Sequence, residues 1–308
     1  MKPVRSSLVT ARSKATTGIK GFDEITGGGL PRGRTTLLEG GPGSGKTIFA
    51  LQFLVCGTRT FKEPGIFVTF EETSMRIMAN AEGFGWKLAE LQRKKLFFLD
   101  AQPEPDLIQS GNFDLSGMLA ALDVQIKEMG AQRIVFDALD IVLALLIDSA
   151  ARRREVYRLH EWLLARELTG IITAKASGDK SSSMSYQPFG FMQFMVDCAV
   201  ILNHSVVQGV SQRNLRVQKY RGSSFDEHES PFLIGNNGFE VAGARVTLNA
   251  HEAELEVRVK SLQTELVAKQ AEKSLLARTI ESRVQELSRG HTRMRELRGA
   301  DAAKPGRR

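Results

Sequence analysis

From about residue 15 to residue 245, short apolar runs alternate with amphipathic stretches. TTLLEG (35–40), GIFVTF (65–70), KLFFLD (95–100), RIVFDA (133–138), GIITAK (170–175) and CAVILNH (198–204) read as strands. Several are apolar at consecutive positions, as in a sheet covered on both faces. Helical patterns lie between them. GKTIFALQFLVCGTRTF follows the first run, and SMRIMANAEGFGW follows the second with Ser74 placed to cap it. LSGMLAALDVQIKEMG and RREVYRLHEWLLARELTG each reach a glycine, Gly130 and Gly170, that suits a helix stop. Strand–helix alternation of this kind predicts a doubly wound α/β domain with a mostly parallel sheet flanked by helices. The stretch RNLRVQKYRGSSF to SPFLIGNNGFEV reads as a closing β-meander, with GNNG as a turn.

After Val241 the pattern changes. Proline is absent from Leu248 until Pro305, and Leu255, Val259, Leu262 and Leu266 recur in heptad fashion. Lys269 and Lys273 interrupt the row, which resumes at Leu276 and Ile280. The steps to Val284 and Leu287 insert four residues, a stutter, and Met294 keeps the later phase. The narrow stripe predicts a coiled-coil helix; a single solvated helix is the competing reading. The expected layout is therefore a basic flexible arm over 1–15 and the α/β domain over 16–247. A coiled-coil helix follows over 248–297, then a disordered basic tail over 298–308.

Charge changes this picture little. The chain of 308 residues carries +7, but residues 1–20 hold five basic residues and no acid. Residues 251–308 hold 13 basic residues against 9 acids, so the domain between is slightly acidic. Base excess confined to the two ends reads as solvated arms, and nucleic acid is not the expected partner. Two cysteines, Cys56 and Cys198, form no disulfide framework or metal set, which suits a reducing cytoplasm. The five histidines show no ligand spacing. The opening residues do not read as a signal peptide. RIVFDALDIVLALLIDSA, broken by Asp137 and Asp140, is too short to span a bilayer.

The strongest chemical signal is GGPGSGKT, Gly40 to Thr47, which fits G-x-x-x-x-G-K-[ST]. A strand precedes it and a helical pattern follows, the context such a phosphate-binding (Walker A) loop requires. Gly41, Pro42, Gly43, Ser44 and Gly45 are expected to bind nucleotide; the glycines let the backbone fold tightly and bring N–H groups close to phosphate oxygens. The helix start adds partial positive charge. Lys46 is expected to reach the β- and γ-phosphates, and the Thr47 hydroxyl to ligate Mg²⁺. Asp137 closes an apolar strand 90 residues later and is expected to hold the Mg²⁺ shell through water. Glu71 and Glu72 end another such strand. They could orient and deprotonate an attacking water, or serve as acids at the start of a helix near Ser74. Spacing alone leaves both readings open.

Several stretches, in order, closely resemble the KaiC family of circadian-clock ATPases within the RecA/DnaB-like superfamily. They are GFDEITGGGLPRGRTTLLEGGPGSGKTIFALQFLVCG, EPGIFVTFEET, GFGW, LFFLDAQPEP, FDLSGMLAAL, RIVFDALDIV and VQKYRGSSF. The resemblance covers about Thr16 to Val241. It implies a RecA-like P-loop NTPase fold, assembly into a ring, usually hexameric, and ATP held between subunits. It implies that Glu71 and Glu72 are the catalytic acids. It also implies that Lys219 and Arg221, in KYRG, reach the γ-phosphate of the neighbour's ATP. Developing charge on a transferring phosphoryl group needs a cation, and Arg supplies a fixed fork.

There are departures from the family. KaiC carries two such domains in tandem and this chain one. The family's Ser-Thr autophosphorylation pair falls where this chain has FGFMQFMV, without a hydroxyl; SSSMSY (181–186) lies upstream. The family's histidine after the trans arginine is Phe225 here. The first reading is a Mg-dependent, ring-forming regulatory ATPase, with the coiled coil driving assembly or recruiting a protein signalling partner. A serine/threonine autokinase and a RecA/DnaB-like DNA motor are the alternatives.

Overall fold

The computed structural model describes residues 13–93, 95–103, 114–146, 148–176, 189–207, 210–242 and 244–301. The serine-rich stretch 181–186, most of the expected arm and the last residues of the tail lie outside the described residues. By contacts the chain divides into two units, Met1–Thr247 and Leu248–Arg308.

The first unit opens with β1 (Lys14–Ala15) paired antiparallel to β2 (Leu30–Pro31), with α1 (Phe22–Ile25) between them. Ala15 is buried, so the arm expected over 1–15 gives way to packed structure before its predicted end. Then come β3 (Thr35–Gly40), α2 (Lys46–Cys56), β4 (Gly65–Thr69), α3 (Ser74–Asn80), α4 (Leu88–Gln92), β5 (Leu96–Asp100) and α5 (Ser116–Met129). They are followed by β6 (Arg133–Asp137), α6 (Leu139–Ala144), α7 (Ser149–Ala165), β7 (Thr169–Lys175), α8 (Met192–Met195) and β8 (Cys198–Val207). The meander is β9 (Val210–Tyr220), β10 (Ser230–Gly235) and β11 (Gly238–Val241).

One sheet carries the strand order β11-β10-β9-β8-β3-β7-β6-β4-β5. The six strands from β8 to β5 are parallel, and β9, β10 and β11 add antiparallel at one edge. β3, β4 and β6 are buried along their whole length, because alternate residues enter two separate cores. Leu38, Phe67, Val135 and Ile171 pack with Phe49 and Phe53 of α2 on one face. Leu37, Ile66, Phe136 and Ile172 pack with Leu119, Leu139 and Leu159 of α5, α6 and α7 on the other. This is a RecA-like α/β core. The chain leaves β3 across β7 and β6 to form β4, while β8 is added later on the other side of β3. Such a reversal opens a crevice at the carboxyl ends of the strands, where ligands sit.

Two local expectations are corrected. Gly130 does end α5, at φ 63, but α7 stops at Ala165 and Glu167 takes the left-handed turn at φ 52. Gly170 instead lies inside β7, where an added Cβ would sit 3.2 Å from both Leu163 methyls. Its small size lets α7 lie close to the sheet. Ser74 does not cap α3 by its own side chain. Asp100, at the end of β5, accepts from the Ser74 N–H at 2.7 Å and from its hydroxyl at 3.2 Å.

The second unit consists of α9 (Ala244–Asp301), which continues past the expected helix end at 297. Val259, Leu262, Leu266, Leu276, Ile280, Val284 and Leu287 are all exposed on it. No helix among the described residues is long and apolar enough to cross a membrane.

Candidate nucleotide site

β3 runs into Gly40 and α2 starts at Lys46, so residues 40–45 must reverse within a few positions at the sheet's crevice. Gly43 and Gly45 do this at φ 68 and φ 93, in the left-handed region where a side chain is strained. At Gly45 a Cβ would also stand 2.6 Å from Ile234 Cδ1, so the position has no room for one. The Lys46 ammonium folds back over the loop and donates to the carbonyls of Gly40 at 2.8 Å and Gly41 at 3.1 Å. Burial lowers its proton affinity, while the carboxylates of Asp137, Asp140 and Glu71 raise it. The Ser44 hydroxyl is fully buried in the loop without a hydrogen-bond partner. An unpaired buried hydroxyl beside a cradle of N–H groups and an ammonium is what a phosphate-binding loop presents before its anion arrives.

Asp137 ends β6 two strands away from β3 and meets this loop. The Thr47 hydroxyl donates to Asp137 Oδ2 at 3.0 Å, joining residues 90 positions apart. The Thr173 hydroxyl, on the intervening β7, donates to Oδ1 at 2.6 Å and accepts the Ala138 N–H at 2.7 Å. Burial pushes the Asp137 carboxyl above the usual range, and the two hydroxyls and Lys46 pull it back. Ala138 pays for this arrangement with a left-handed φ of 63. Asp140, in the first turn of α6, is raised by burial as well. A hydroxyl and a carboxylate are hard oxygen donors of the kind that bind Mg²⁺ together with phosphate oxygens and water. The residues present therefore fit that ion.

The two glutamates part company at the end of β4. Glu71 is exposed and close enough to the loop for its charge to raise the proton affinity of both Lys46 and Asp137. Glu72 turns to α3, where its Oε2 lies 3.6 Å from Arg76 and accepts from Asn80 at 3.4 Å. Its carbonyl is pinned by the Thr69 hydroxyl at 2.6 Å and the Gln102 amide at 2.8 Å.

Lys219 and Arg221 stand apart from the loop of their own chain. Lys219 pairs with Ala199 across β9 and β8, and Ala199 pairs with Leu37 of β3. That register is three residues short of Gly40, roughly 10 Å back along the strand direction. The Lys219 ammonium donates to the carbonyls of Gln193 at 2.8 Å and Phe194 at 3.2 Å, and Arg221 to that of Phe194 at 2.9 Å. Arg221 lines a cleft of about 500 Å³ with Tyr157, His160, Phe191 and Phe194. Phe225 stacks on Tyr220 instead of presenting a polar group.

Thr173, Gln193 and Glu39 were not singled out in the sequence. Each shows in the sequence only as a polar residue within an apolar run.

The family model described as "ATPase: KaiC" matches residues 15–246. The circadian clock protein KaiC2 of Synechocystis is 37% identical over 230 residues, covering 74% of this chain and 40% of that protein. The circadian clock oscillator protein KaiC of Thermostichus vulcanus is 39% identical over 256 residues, 81% of this chain and 48% of that one. The corresponding protein of Prochlorococcus marinus is 36% identical over 266 residues, 85% of this chain and 52% of that one. The chain spans about half the length of these relatives, or less.

Proposed function

Because the chain belongs to the KaiC family of ATPases, we propose that it binds Mg-ATP in the Gly40–Thr47 loop and hydrolyses it in a ring of copies. The observation that carries this reading is the Thr47–Asp137 contact at 3.0 Å, with the Lys46 ammonium beside it. The loop N–H groups and Lys46 bind and orient the phosphates. Thr47 and Asp137 are the residues that would hold Mg²⁺, Asp137 through water. When bound, the ion supplies positive charge that offsets charge on the β- and γ-phosphates.

Glu71 takes the proton of the attacking water. Its charge faces the loop, whereas the Glu72 carboxylate is engaged by Arg76 and Asn80 on α3. Lys219 and Arg221 cannot serve their own loop from behind the sheet edge, and their placement suits the loop of a neighbouring copy. There they would stabilise charge on the transferring phosphoryl group. A hexameric, cytoplasmic ring with a protein partner on α9 is the fuller form of this proposal.

Incubation with γ-labelled ATP and Mg²⁺ tests it. Free labelled phosphate is expected, with loss of at least about a hundredfold in Lys46→Ala and Asp137→Asn, given what phosphate and metal contacts contribute to such sites. Label retained on the protein would replace hydrolysis with autophosphorylation. Hydrolysis unchanged in both variants would remove the site.

A further inference from the structure

Glu39 is a buried carboxylate that the proposed reaction does not use. It occupies the last position of β3 before Gly40 and is only 3% exposed. Among the described residues no cation pairs with it. Its partner is the side-chain amide of Gln193, which donates to Glu39 Oε2. Burial holds this carboxyl above its ordinary value, and the Gln193 bond opposes that. A charge in such a place is costly unless a hydrogen bond satisfies it, and a buried apolar residue would pack there without that cost.

Gln193 does more than satisfy the acid. It lies in α8, whose Met192 and Met195 are buried in the core on that face of the sheet, while Phe194 is 78% exposed. Its own carbonyl takes the Lys219 ammonium at 2.8 Å, and the next carbonyl takes both Lys219 and Arg221. The Asp197 carbonyl just beyond accepts the Arg221 N–H at 2.8 Å. A single residue therefore joins the strand that leads into the phosphate loop to the backbone on which both cations rest.

We propose that Glu39 and Gln193 are positioning residues for Lys219 and Arg221. The tether fixes the Gln193–Phe194 carbonyls relative to β3, and those carbonyls set where the two cations are offered to a second copy. The inference rests on the reading that Lys219 and Arg221 act in a neighbour, and the experiment separates the two.

The full-length chain is prepared as Glu71→Gln, which lacks the base but offers intact cations, and as Arg221→Ala, which has the base but offers no fork. Mixing the two is expected to raise phosphate release at least about tenfold over either alone, as one completed site provides. No rise on mixing would overturn the neighbour reading, and the tether with it. Gln193→Leu is then added to one chain or the other. On the Glu71→Gln chain it is expected to remove most of the restored activity; on the Arg221→Ala chain it should leave that activity within about twofold, as for independent sites. A rise on mixing that is unaffected by Gln193→Leu on the cation-offering chain would overturn the tether alone. Because Gln193→Leu strands a buried carboxylate, a second variant guards against misfolding. Glu39→Gln/Gln193→Glu reverses donor and acceptor and is expected to restore mixed activity to within about threefold of the parent pair. Failure of that exchange in a chain that still binds ATP would also count against the tether.

Discussion

The Thr173 hydroxyl and the Asp137 carboxylate face each other across adjacent strands at 2.6 Å. The same oxygen of Thr173 holds the Ala138 N–H, so one hydroxyl aims the acid and fixes the turn that follows it. Thr173→Val keeps the shape and removes both bonds. Mg-nucleotide affinity is expected to fall about tenfold or more by titration calorimetry, the usual scale for losing a partner of a metal-binding carboxylate. Unchanged affinity would mean that Asp137 does not need to be aimed.

The divergence of Glu71 and Glu72 predicts unequal variants. Glu71→Gln should lower turnover by about a hundredfold or more, in the range lost with a general base. Glu72→Gln should lose less than about tenfold, since an exposed pair such as Glu72–Arg76 contributes little. Both should bind a fluorescent ATP analogue as the parent does. Equal loss in the two would contradict the geometry.

Arg133, at the opposite end of β6 from Asp137, is fully buried. Its guanidinium bonds Glu63 at 2.6 Å and the carbonyls of Phe53 and Thr16 at 2.8 and 2.9 Å. Glu63 also pairs with Arg32 at 2.7 Å. Arg133→Ala leaves Glu63 with that partner alone, beside a cavity. A stability loss of about 3 kcal/mol is expected in urea unfolding, the lower end for breaking a buried pair from one side. A loss under about 1 kcal/mol would show that Arg32 alone satisfies Glu63.

His160 is half-buried, and its Nδ1 lies 3.2 Å from the Thr35 hydroxyl. Burial lowers its proton affinity, the nearby Asp197 and Glu161 raise it, and Arg221 and Lys219 lower it again. The net shift is downward, so the fold prefers the neutral ring. Its contribution is present above the ordinary histidine value and is lost as pH falls through the lowered one. Stability should therefore drop between about pH 7 and pH 5, the range set by that ordinary value. The drop should be smaller in His160→Gln. The same drop in both would place the pH effect elsewhere.

On α9, Lys269 and Lys273 stand in the row made by Leu262, Leu266, Leu276 and Ile280, all exposed. Charged residues in a helix seam weaken pairing. If α9 pairs through this row, Lys269→Leu/Lys273→Leu should shift sedimentation to larger species at lower concentration. No shift would favour a solvated helix.

Much of this fold was legible because its chemistry is local. Each parallel strand carries a short apolar run, such as IFV in β4 and IVF in β6, and GGPGSGKT declares its own turn. What stayed hidden depends on partners distant in sequence. Glu71 and Glu72 are equivalent as letters; they separate in the fold, where Arg76 and Asn80 engage the Glu72 carboxylate and Thr69 and Gln102 hold its carbonyl. Asp100 caps Ser74 from another strand. Gly170 resembles a helix stop because nothing nearby shows that Leu163 needs its space. The carbonyls that hold Lys219 and Arg221 leave no mark in sequence, since every residue has one.

The register that sets Lys219 three residues behind Gly40 has a consequence for abundance. If Lys219 and Arg221 act in a neighbouring copy, a lone copy would hold its own phosphate loop and lack the cations that finish the reaction. Dilution would then act as an off state without any inhibitor. Output per chain would climb with the amount of protein until copies meet, and a cell could set the rate by how much it makes.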